Sequence, residues 1–277
     1  MTPELANPSG YAEVIGDPID QSLSPIIHGF WLDQLGIAAR YQRLQLGRAG
    51  LPDYLASRRS DPDWRGANVT MPLKLDAVAL ADEATDRAIA AGAANVLMIR
   101  DERLVAANTD VGAIALLLGR LGEAGSSLAS IILLGNGGAA RAALVALKLL
   151  GLSQVRIQAR DLATAMKLSV EFGLDVAPAP LTAPIVSDGL INATPLGMAG
   201  RDCLNCDLSQ MGKGGFVFDM VTSATDTPLI AAARERGLAV VTGIDMLVEQ
   251  AASSFKLFFG IDAPRDRDPE LWQKLRS

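Results

Sequence analysis

Histidine and cysteine are nearly absent from this chain of 277 residues, which has one histidine, His28, and two cysteines, Cys203 and Cys206. So few ligands argue against a closed zinc site of the usual Cys/His type. The Cys-Leu-Asn-Cys spacing occurs in redox pairs and half metal sites, but no second pair accompanies it and polar neighbours favour a surface loop. We therefore predict no metal site and no redox function for this pair.

Basic residues are outnumbered by acidic residues, 25 to 31, and the formal net charge is −6. Without a basic surplus or stripe, the chain is not expected to bind nucleic acid. No apolar run reaches the roughly 18 residues that a membrane-spanning helix needs. The N-terminal residues lack the charged start and apolar stretch of a signal peptide. The sequence predicts a cytoplasmic protein with neither nucleic-acid nor membrane partners.

Apolar residues, in contrast, make up 49% of the chain, although aromatic residues contribute only 5%. The length predicts two domains. Because aromatic residues are few, Ala, Leu and Val supply the cores, as is common where helices cover a parallel sheet.

The central segment has the pattern of a strand, a glycine-rich turn and a helix. Residues 131–134 are a short apolar run, a helix is predicted at 141–150, and a second strand at 155–157. The turn reads Gly135-Asn136-Gly137-Gly138-Ala139-Ala140. This Gly-x-Gly-x-x-Ala pattern matches the dinucleotide fingerprint, because glycine permits the tight turn and the helix N-terminus attracts a pyrophosphate. The segment predicts a nucleotide site.

Strands and helices alternate through the rest of the chain. Further strands are predicted at 11–16, 41–46, 66–70, 188–192, 215–220 and 238–242, and a hairpin at 94–99 and 103–106. Helices are predicted at 25–35, within 75–91, and at 111–121, 162–172 and 228–236, with a linker at 122–130. This alternation is typical of an α/β fold with a parallel sheet.

The residues after the second strand of the central unit bear on the type of nucleotide. Arg160 and Asp161 lie there. An acidic residue at this place usually binds the ribose hydroxyls of NAD, whereas an Arg binds the 2′-phosphate of NADP. The pair leaves both cofactors open, and a solvated ion pair of little energetic value is the structural alternative.

Two polar segments in the first half are candidates for chemistry. Lys74 ends the segment Asn-Val-Thr-Met-Pro-Leu-Lys, and a lysine beside a carboxylate such as Asp110 can relay a proton. Most lysines are simply solvated, however, and spacing alone does not bring these two residues together. Ser24 precedes a proline, which predicts a helix N-cap with His28 one turn into the helix. No Gly-x-Ser-x-Gly elbow supports a nucleophilic triad on this serine.

Taken together, these segments resemble the shikimate dehydrogenase family over nearly the whole chain. The matching segments are GDPIDQSLSPIIHG (16–29), GANVTMPLK (66–74), GAAN (92–95), NTDVG (108–112), LGNGGAARA (134–142), INATPLGM (191–198), FDM (218–220), TPL (227–229) and GIDMLVEQA (243–251). The resemblance implies an α/β substrate domain (1–110, joined by returning helices 244–277) and a Rossmann-type NADP-binding domain (111–243), separated by a cleft. It also implies reversible reduction of 3-dehydroshikimate to shikimate by NADPH, a step of chorismate and aromatic amino-acid biosynthesis.

The resemblance also implies individual residue functions. Lys74 is expected to be the acid/base, with Asp110 as its partner. The substrate carboxylate is expected on Ser22 and Ser24, and the ring hydroxyls on Thr70, Asn95, Asp110 and Gln250. The cofactor residues are expected to be Gly135, Asn136, Gly137, Gly138 and Ala139 at the pyrophosphate, Arg160 at the 2′-phosphate, Met220 and Gly243 at the nicotinamide, and Asp86.

Departures from the family concern the cofactor and the substrate. Asn136 replaces the usual Ala of the glycine turn. Asp161 adds an acid and Thr164 replaces a second basic residue, which should weaken the preference for the 2′-phosphate. We predict NADP as the cofactor and keep NAD as the alternative. Thr222 stands where the family has a substrate-contacting Tyr, so a quinate-type paralogue acting on a related cyclic acid is the second hypothesis. A non-catalytic nucleotide-binding module is the third, and the expected assembly is a monomer or homodimer.

Overall fold

The computed structural model describes residues 9–276, which divide into two compact units. The first unit contains the described residues up to Thr109 and from Val248 onward, and the second contains Asp110–Leu247. The predicted boundaries lie after residues 110 and 243 instead. The predicted ligands are the substrate for the first unit and NADP for the second.

Strands and helices alternate in both units. The strands are β1 (Gly10–Gly16), β2 (Ala39–Gln45), β3 (Trp64–Val69), β4 (Glu83–Ala84), β5 (Val96–Arg100), β6 (Arg103–Ala107), β7 (Ile131–Leu134), β8 (Val155–Ala159), β9 (Ala179–Pro180), β10 (Gly189–Asn192), β11 (Phe216–Asp219) and β12 (Ala239–Val241). The helices are α1 (Ser24–Leu35), α2 (Leu51–Arg59), α3 (Lys74–Leu80), α4 (Asp86–Ala91), α5 (Asp110–Glu123), α6 (Gly138–Leu149), α7 (Leu162–Phe172), α8 (Pro228–Glu235), α9 (Gly243–Phe259) and α10 (Asp268–Leu275). Most predicted elements overlap these, but α2, β4 and β9 were missed.

The sheet of the first unit is mixed, with strand order β2-β1-β3-β5-β6-β4. β1 is parallel to both neighbours, whereas β5 is antiparallel to β3 and to β6. The predicted hairpin is confirmed, and its turn residues Asp101 and Glu102 both have positive φ, as a tight two-residue hairpin requires. The predicted parallel pairing therefore does not hold for β5, which is antiparallel to both of its neighbours.

The sheet of the second unit is entirely parallel, with order β9-β8-β7-β10-β11-β12. Counted within the unit this is 3-2-1-4-5-6, the Rossmann order. The glycine-rich turn follows β7, where the strand order reverses, and ligands bind at such a switch point in open α/β sheets. The predicted linker 122–130 begins inside α5, and Ser130 donates to Asp188 at 2.7 Å within this unit.

The C-terminal helices complete the core of the first unit. On α9, Phe255 meets Trp31 of α1 edge-on, with ring centroids 5.5 Å apart. Gly66 of β3 packs so tightly on Phe258 that a Cβ there would lie 2.6 Å from the ring. Residues near both ends of the chain thus share one apolar core.

Candidate functional site

The loops that follow β1 and β3 lie side by side in the first unit. Asp17 N donates to Met71 O at 2.9 Å, and a Cβ at Gly16 would collide with Thr70. Because β1 and β3 are parallel neighbours, their carboxyl ends share one edge of the sheet. This edge brings the segment of Ser22 and Ser24 beside the segment of Thr70 and Lys74.

Ser22 and Ser24 are joined through Tyr41 to Asn68. Ser22 Oγ donates to Ser24 Oγ at 3.3 Å, and the Ser24 side chain hydrogen-bonds the Tyr41 phenol. Tyr41 in turn donates to Asn68 Oδ1 at 2.6 Å. Burial raises the pKa of the Tyr41 phenol well above its ordinary value, so the phenol is a proton donor at neutral pH.

The prediction that Ser24 caps α1 is wrong. The helix begins at Ser24 itself, Leu23 occupies the N-cap position, and no side chain caps the helix. Pro25 lies in the first turn as expected. The Ser24 hydroxyl oxygen accepts from Ser22 instead, and a hydrogen bond from Ser24 lowers the pKa of the Tyr41 phenol against the larger effect of burial.

A second part of the arrangement joins Asn95, Thr109 and Gln250. Asn95 Nδ2 donates to Thr109 Oγ1 at 2.8 Å and to Gln250 Oε1 at 3.2 Å, while Thr109 N donates to Asn95 Oδ1 at 2.7 Å. Asn68 Nδ2 donates to the Asn95 carbonyl at 3.3 Å and so links the two parts. All four side chains are buried, and a buried polar group without a hydrogen-bond partner destabilises the fold, so these bonds matter for its stability.

We call this arrangement the polar network. Its members are Ser22, Ser24, Tyr41, Asn68, Asn95, Thr109 and Gln250. Residue functions inferred from the sequence omitted Tyr41, Asn68 and Thr109, although Asn68 and Thr109 lie inside quoted motifs. Because every member is uncharged and offers a hydroxyl or an amide, the network suits a polyhydroxylated ligand.

Lys74 is anchored next to this network. It is the first residue of α3 and is half-buried, and its carbonyl accepts from Ala94 N at 2.8 Å, one residue before Asn95. Asp110 is buried and begins α5 directly after Thr109. Since Asp110 falls in the second unit, its pairing with Lys74 is kept as a prediction.

His28 is a core residue beside the network. Its ring is fully buried and stacks face to face on Tyr41, with centroids 3.9 Å apart and planes within 1°. Neither ring nitrogen has a hydrogen-bond partner among the described residues. Burial lowers the pKa of His28 to about 3, so at neutral pH the ring is uncharged and serves as packing.

The glycine-rich turn of the second unit has the geometry of an anion cradle. Gly135 has φ +102°, and a Cβ there would lie 3.1 Å from the Ala193 carbonyl oxygen. Gly137 is the N-cap of α6, with open space where its Cβ would be. In α7 and α8, by contrast, the side chains of Asp161 and Thr227 cap the first turn. The turn therefore fits the pyrophosphate of a dinucleotide.

The loop after β8 contains Arg160 and Asp161, and the Asp161 side chain is already bonded within the protein. The Asp161 carboxylate caps α7, because it accepts from Thr164 N at 3.0 Å and from Thr164 Oγ1 at 2.5 Å. These hydrogen bonds lower the pKa of Asp161. Its interpretation as half of a solvated ion pair is therefore wrong. Arg160 is exposed, and Asn136 of the glycine turn donates to the Asp161 carbonyl at 3.2 Å.

Met220, Thr222 and Gly243 lie close together in the second unit. Met220 follows β11, and its N–H donates to the Asn192 carbonyl at 3.0 Å. A Cβ at Gly243 would collide with the Val221 carbonyl and the Thr222 nitrogen. Glycine at 243 is therefore required for α9 to begin against the peptide that follows Met220.

Asp219 holds this loop in place. It is 1% exposed and accepts from Asn192 Nδ2 at 2.9 Å, Thr227 Oγ1 at 2.6 Å and Val221 N at 3.1 Å. Burial raises the pKa of the Asp219 carboxyl, against the effect of these donors. Asp219 and Thr227 lie in the FDM and TPL segments, and neither was among the predicted site residues.

Three candidates remain, Asp86, Cys203 and Cys206. Asp86 is exposed at the start of α4 in the first unit. Cys203 is exposed, and burial raises the pKa of Cys206 to about 11. Within residues 9–276, no group of three His, Cys, Asp or Glu side chains is placed to hold a metal ion. In the same range, no helix is both long and apolar enough to cross a bilayer.

Two family models match this chain. The shikimate dehydrogenase substrate binding domain matches residues 14–97, which lie in the first unit. The shikimate 5′-dehydrogenase C-terminal domain matches residues 243–267, which include all of α9.

Relatives are similar over almost the full length. The shikimate dehydrogenase (NADP(+)) of Sphingopyxis alaskensis is 45% identical over 95% of this chain and 96% of its own length. The structure of Thermus thermophilus shikimate 5-dehydrogenase with NADP(H) and shikimate has a TM-score of 0.81 and 31% identity, covering 96% of this chain and 99% of that one. The Listeria monocytogenes enzyme, solved with shikimate and NAD, has a TM-score of 0.78 and 25% identity, covering 98% and 99%.

Proposed function

Because this chain belongs to the shikimate dehydrogenase family, we propose that it reduces 3-dehydroshikimate reversibly to shikimate through Lys74 and Asp110. The reaction and its NADP dependence follow from full-length similarity to NADP-dependent relatives. The observation that supports the residue assignment best is the buried polar network beside Lys74.

In this proposal the polar network recognises the substrate. Ser22 and Ser24 donate to its carboxylate, while Thr70, Asn95 and Gln250 contact the ring hydroxyls. Hydroxyl and amide groups can each donate and accept, so they match the alternating requirements of ring hydroxyls. Fixing the ring in this way orients the reacting carbon, and such orientation lowers the activation barrier of the reaction.

Lys74 handles the proton in this mechanism. Its ammonium group protonates the carbonyl oxygen during reduction, and in the reverse direction the neutral amine accepts that proton from the hydroxyl group. Asp110, next to the network member Thr109, is proposed to pair with this ammonium group.

The second unit holds the cofactor, which supplies or accepts the hydride when bound. The backbone of the glycine-rich turn, Gly135 to Ala139, would bind the pyrophosphate. Arg160 would bind the 2′-phosphate, since the Asp161 carboxylate is already engaged as a helix cap. Met220 and Gly243 would border the nicotinamide, and Asp86 is kept as a further cofactor residue.

A second candidate function is oxidation of quinate or a related cyclic acid, with NAD as a possible cofactor. It is favoured by Thr222, which is smaller than the Tyr that the family has at this position. A two-by-two initial-rate assay, with shikimate or quinate against NADP or NAD, tests both functions. Preference for shikimate with NADP supports the first, whereas preference for quinate supports the second. No turnover with any pair would favour a non-catalytic module.

The setting of this activity is also a proposal. We propose a cytoplasmic enzyme that acts on a small molecule as a monomer or homodimer. Size-exclusion chromatography with light scattering decides between these two assemblies.

A further inference from the structure

Asn136 of the glycine-rich turn bonds to the loop that follows β8. Its side-chain amide donates to the Asp161 carbonyl at 3.2 Å, and the Ala that the family usually has at this position offers no such donor. We propose that Asn136 is a positioning residue that holds the loop of Arg160 for the 2′-phosphate of NADP, and so contributes to cofactor selectivity. This inference rests on the proposed function, because it takes Arg160 as the residue that binds that phosphate.

The glycine-rich turn and the loop after β8 are neighbours because their strands are neighbours. β7 and β8 are parallel, with Leu134 opposite Gln158, so both segments leave the same edge of the sheet. The backbone provides one link between them, since Gly135 N donates to the Gln158 carbonyl at 2.8 Å. Asn136 provides a second link further along both segments, and this link is made by a side chain.

The bond from Asn136 reaches the point where α7 begins. The Asp161 carbonyl also accepts from Ala165 N at 3.1 Å, which is a backbone bond of the first turn of α7. The Asp161 carboxylate accepts from Thr164 N at 3.0 Å and from Thr164 Oγ1 at 2.5 Å. Both the carbonyl and the carboxylate of Asp161 are therefore engaged, and Asn136 connects the start of α7 to the glycine-rich turn.

Arg160 lies between two residues that are held in place. On one side, Ala159 ends β8, is 2% exposed and pairs with Pro180 of β9. On the other side, Asp161 is bonded to both α7 and Asn136. The Arg160 side chain itself is exposed, so its location depends on the backbone that carries it. Ordering this backbone before the cofactor arrives lowers the entropy lost on binding.

This function of Asn136 differs from a contact with the pyrophosphate. The amide oxygen only accepts and cannot bond to a phosphate oxygen, and the amide nitrogen already donates to Asp161. NADP and NAD share the pyrophosphate, whereas only NADP carries the 2′-phosphate. A residue that acts through Arg160 therefore predicts a loss of affinity for NADP alone, whereas a pyrophosphate contact predicts equal losses for both cofactors.

The test measures the binding of NADP and of NAD by isothermal titration calorimetry. It compares the wild type with Asn136→Ala, Arg160→Ala and the double variant. Asn136→Ala should raise Kd for NADP about fivefold, the scale of one ordinary hydrogen bond, and leave Kd for NAD within about twofold. Because Asn136 acts through Arg160, adding Asn136→Ala to Arg160→Ala should change Kd for NADP less than about twofold.

Asn205 provides a matched control. It is an exposed asparagine of the second unit that belongs neither to the glycine-rich turn nor to the loop after β8. Asn205→Ala should change neither Kd. Thermal melting follows the fold, and Asn136→Ala should melt with the wild type. A lower Tm with both Kd values unchanged would assign Asn136 a structural role and overturn the inference.

The other outcomes are equally decisive. Equal losses for both cofactors in Asn136→Ala would place its side chain at the pyrophosphate. A full loss for NADP in the Arg160→Ala background would mean that Asn136 contacts the 2′-phosphate itself. Either result overturns the inference, as does an unchanged Kd for NADP in Asn136→Ala. If Arg160→Ala shows no selective loss for NADP, the function proposed for Arg160 fails, and the inference fails with it.

Discussion

The polar groups of the first unit and those of the nucleotide loops differ in how they are held. In the polar network, side chains separated by up to 155 positions bond to each other, and Asn95, Thr109 and Gln250 are buried. In the second unit, Arg160 is exposed, Asp161 caps the helix that follows it, and Asn136 donates to the backbone carbonyl of Asp161. The first arrangement is preformed by the core, and the second is formed mainly by the local backbone.

This difference predicts different costs of substitution. A buried network loses several bonds when one member changes, and the groups left behind are unsatisfied. The glycine-rich turn presents backbone N–H groups, which remain whatever side chains lie nearby. A substitution of one side chain there therefore alters one contact. Variants in the two units therefore test whether these costs differ.

The largest effect is expected at Lys74, beside the network. Lys74→Ala should lower kcat at least about 100-fold, because a general acid/base contributes about that much or more. Steady-state rates and thermal melting measure the activity and the fold together. Exposed Lys213 is the matched control, and Lys213→Ala should keep normal turnover. A Lys74→Ala enzyme with near-normal kcat would contradict the mechanism.

The next largest effect is expected from His28, in the core beside the polar network. Its burial should lower the stability of the protein at acid pH. The unfolded chain protonates His28 near pH 6.5, but in the folded chain the pKa is about 3. The unfolded state therefore binds more protons between these values, and the free energy of unfolding falls as pH drops through this window. We expect a loss of about 3 kcal/mol by pH 4 from this residue.

The variant His28→Phe isolates that contribution, since it retains an aromatic ring against Tyr41 and has nothing to protonate. Urea unfolding of both proteins at pH 7 and pH 4 measures the difference. If both proteins lose the same stability between these pH values, the buried histidine is not the cause.

On the nucleotide side, Arg160 should show a selective effect. Arg160→Ala should raise KM for NADP by about tenfold or more and change KM for NAD less than about twofold, because only NADP carries the 2′-phosphate. Arg156, an exposed arginine on β8, is the control, and Arg156→Ala should affect neither. Equal effects of Arg160→Ala on both cofactors would show that Arg160 does not bind the 2′-phosphate.

The smallest effect is expected at Asp161. Asp161→Asn keeps a good N-cap residue, so Tm and the ratio of KM values for NADP and NAD should hardly change. Asp161→Ala removes the cap of α7 and should lower Tm by about 2–4 °C. A strong gain in NADP preference in Asp161→Asn would mean that the carboxylate acts on the cofactor after all.

Elements with local signals were predictable from the sequence. The apolar run at 131–134 is β7, and α7 begins and ends where expected because Asp161 caps its start and left-handed Gly173 ends it. The hairpin at Asp101 and Glu102 was identified in the same way. Helix α2 was missed, and only three of its nine residues are buried, Leu51, Tyr54 and Leu55, which gives too weak a periodic signal.

The site was predictable only in part. The glycine turn gives a local signal, because strand, turn and helix are consecutive in the chain. Tyr41 was placed in a strand, but the strand pattern carries no information about a bond to Asn68, 27 residues away. Ser24 shows the reverse error, since its local signal predicts an N-cap, whereas Leu23 occupies that position and the Ser24 hydroxyl accepts from Ser22.

The return of α9 to the first unit has a consequence for synthesis on the ribosome. The first unit starts with the earliest described residues, yet Trp31 of α1 packs on Phe255. The intervening unit is continuous in sequence and can finish folding during translation, since domains generally fold as units. Of the two units, the one that begins earlier in the chain is therefore the last to complete its core.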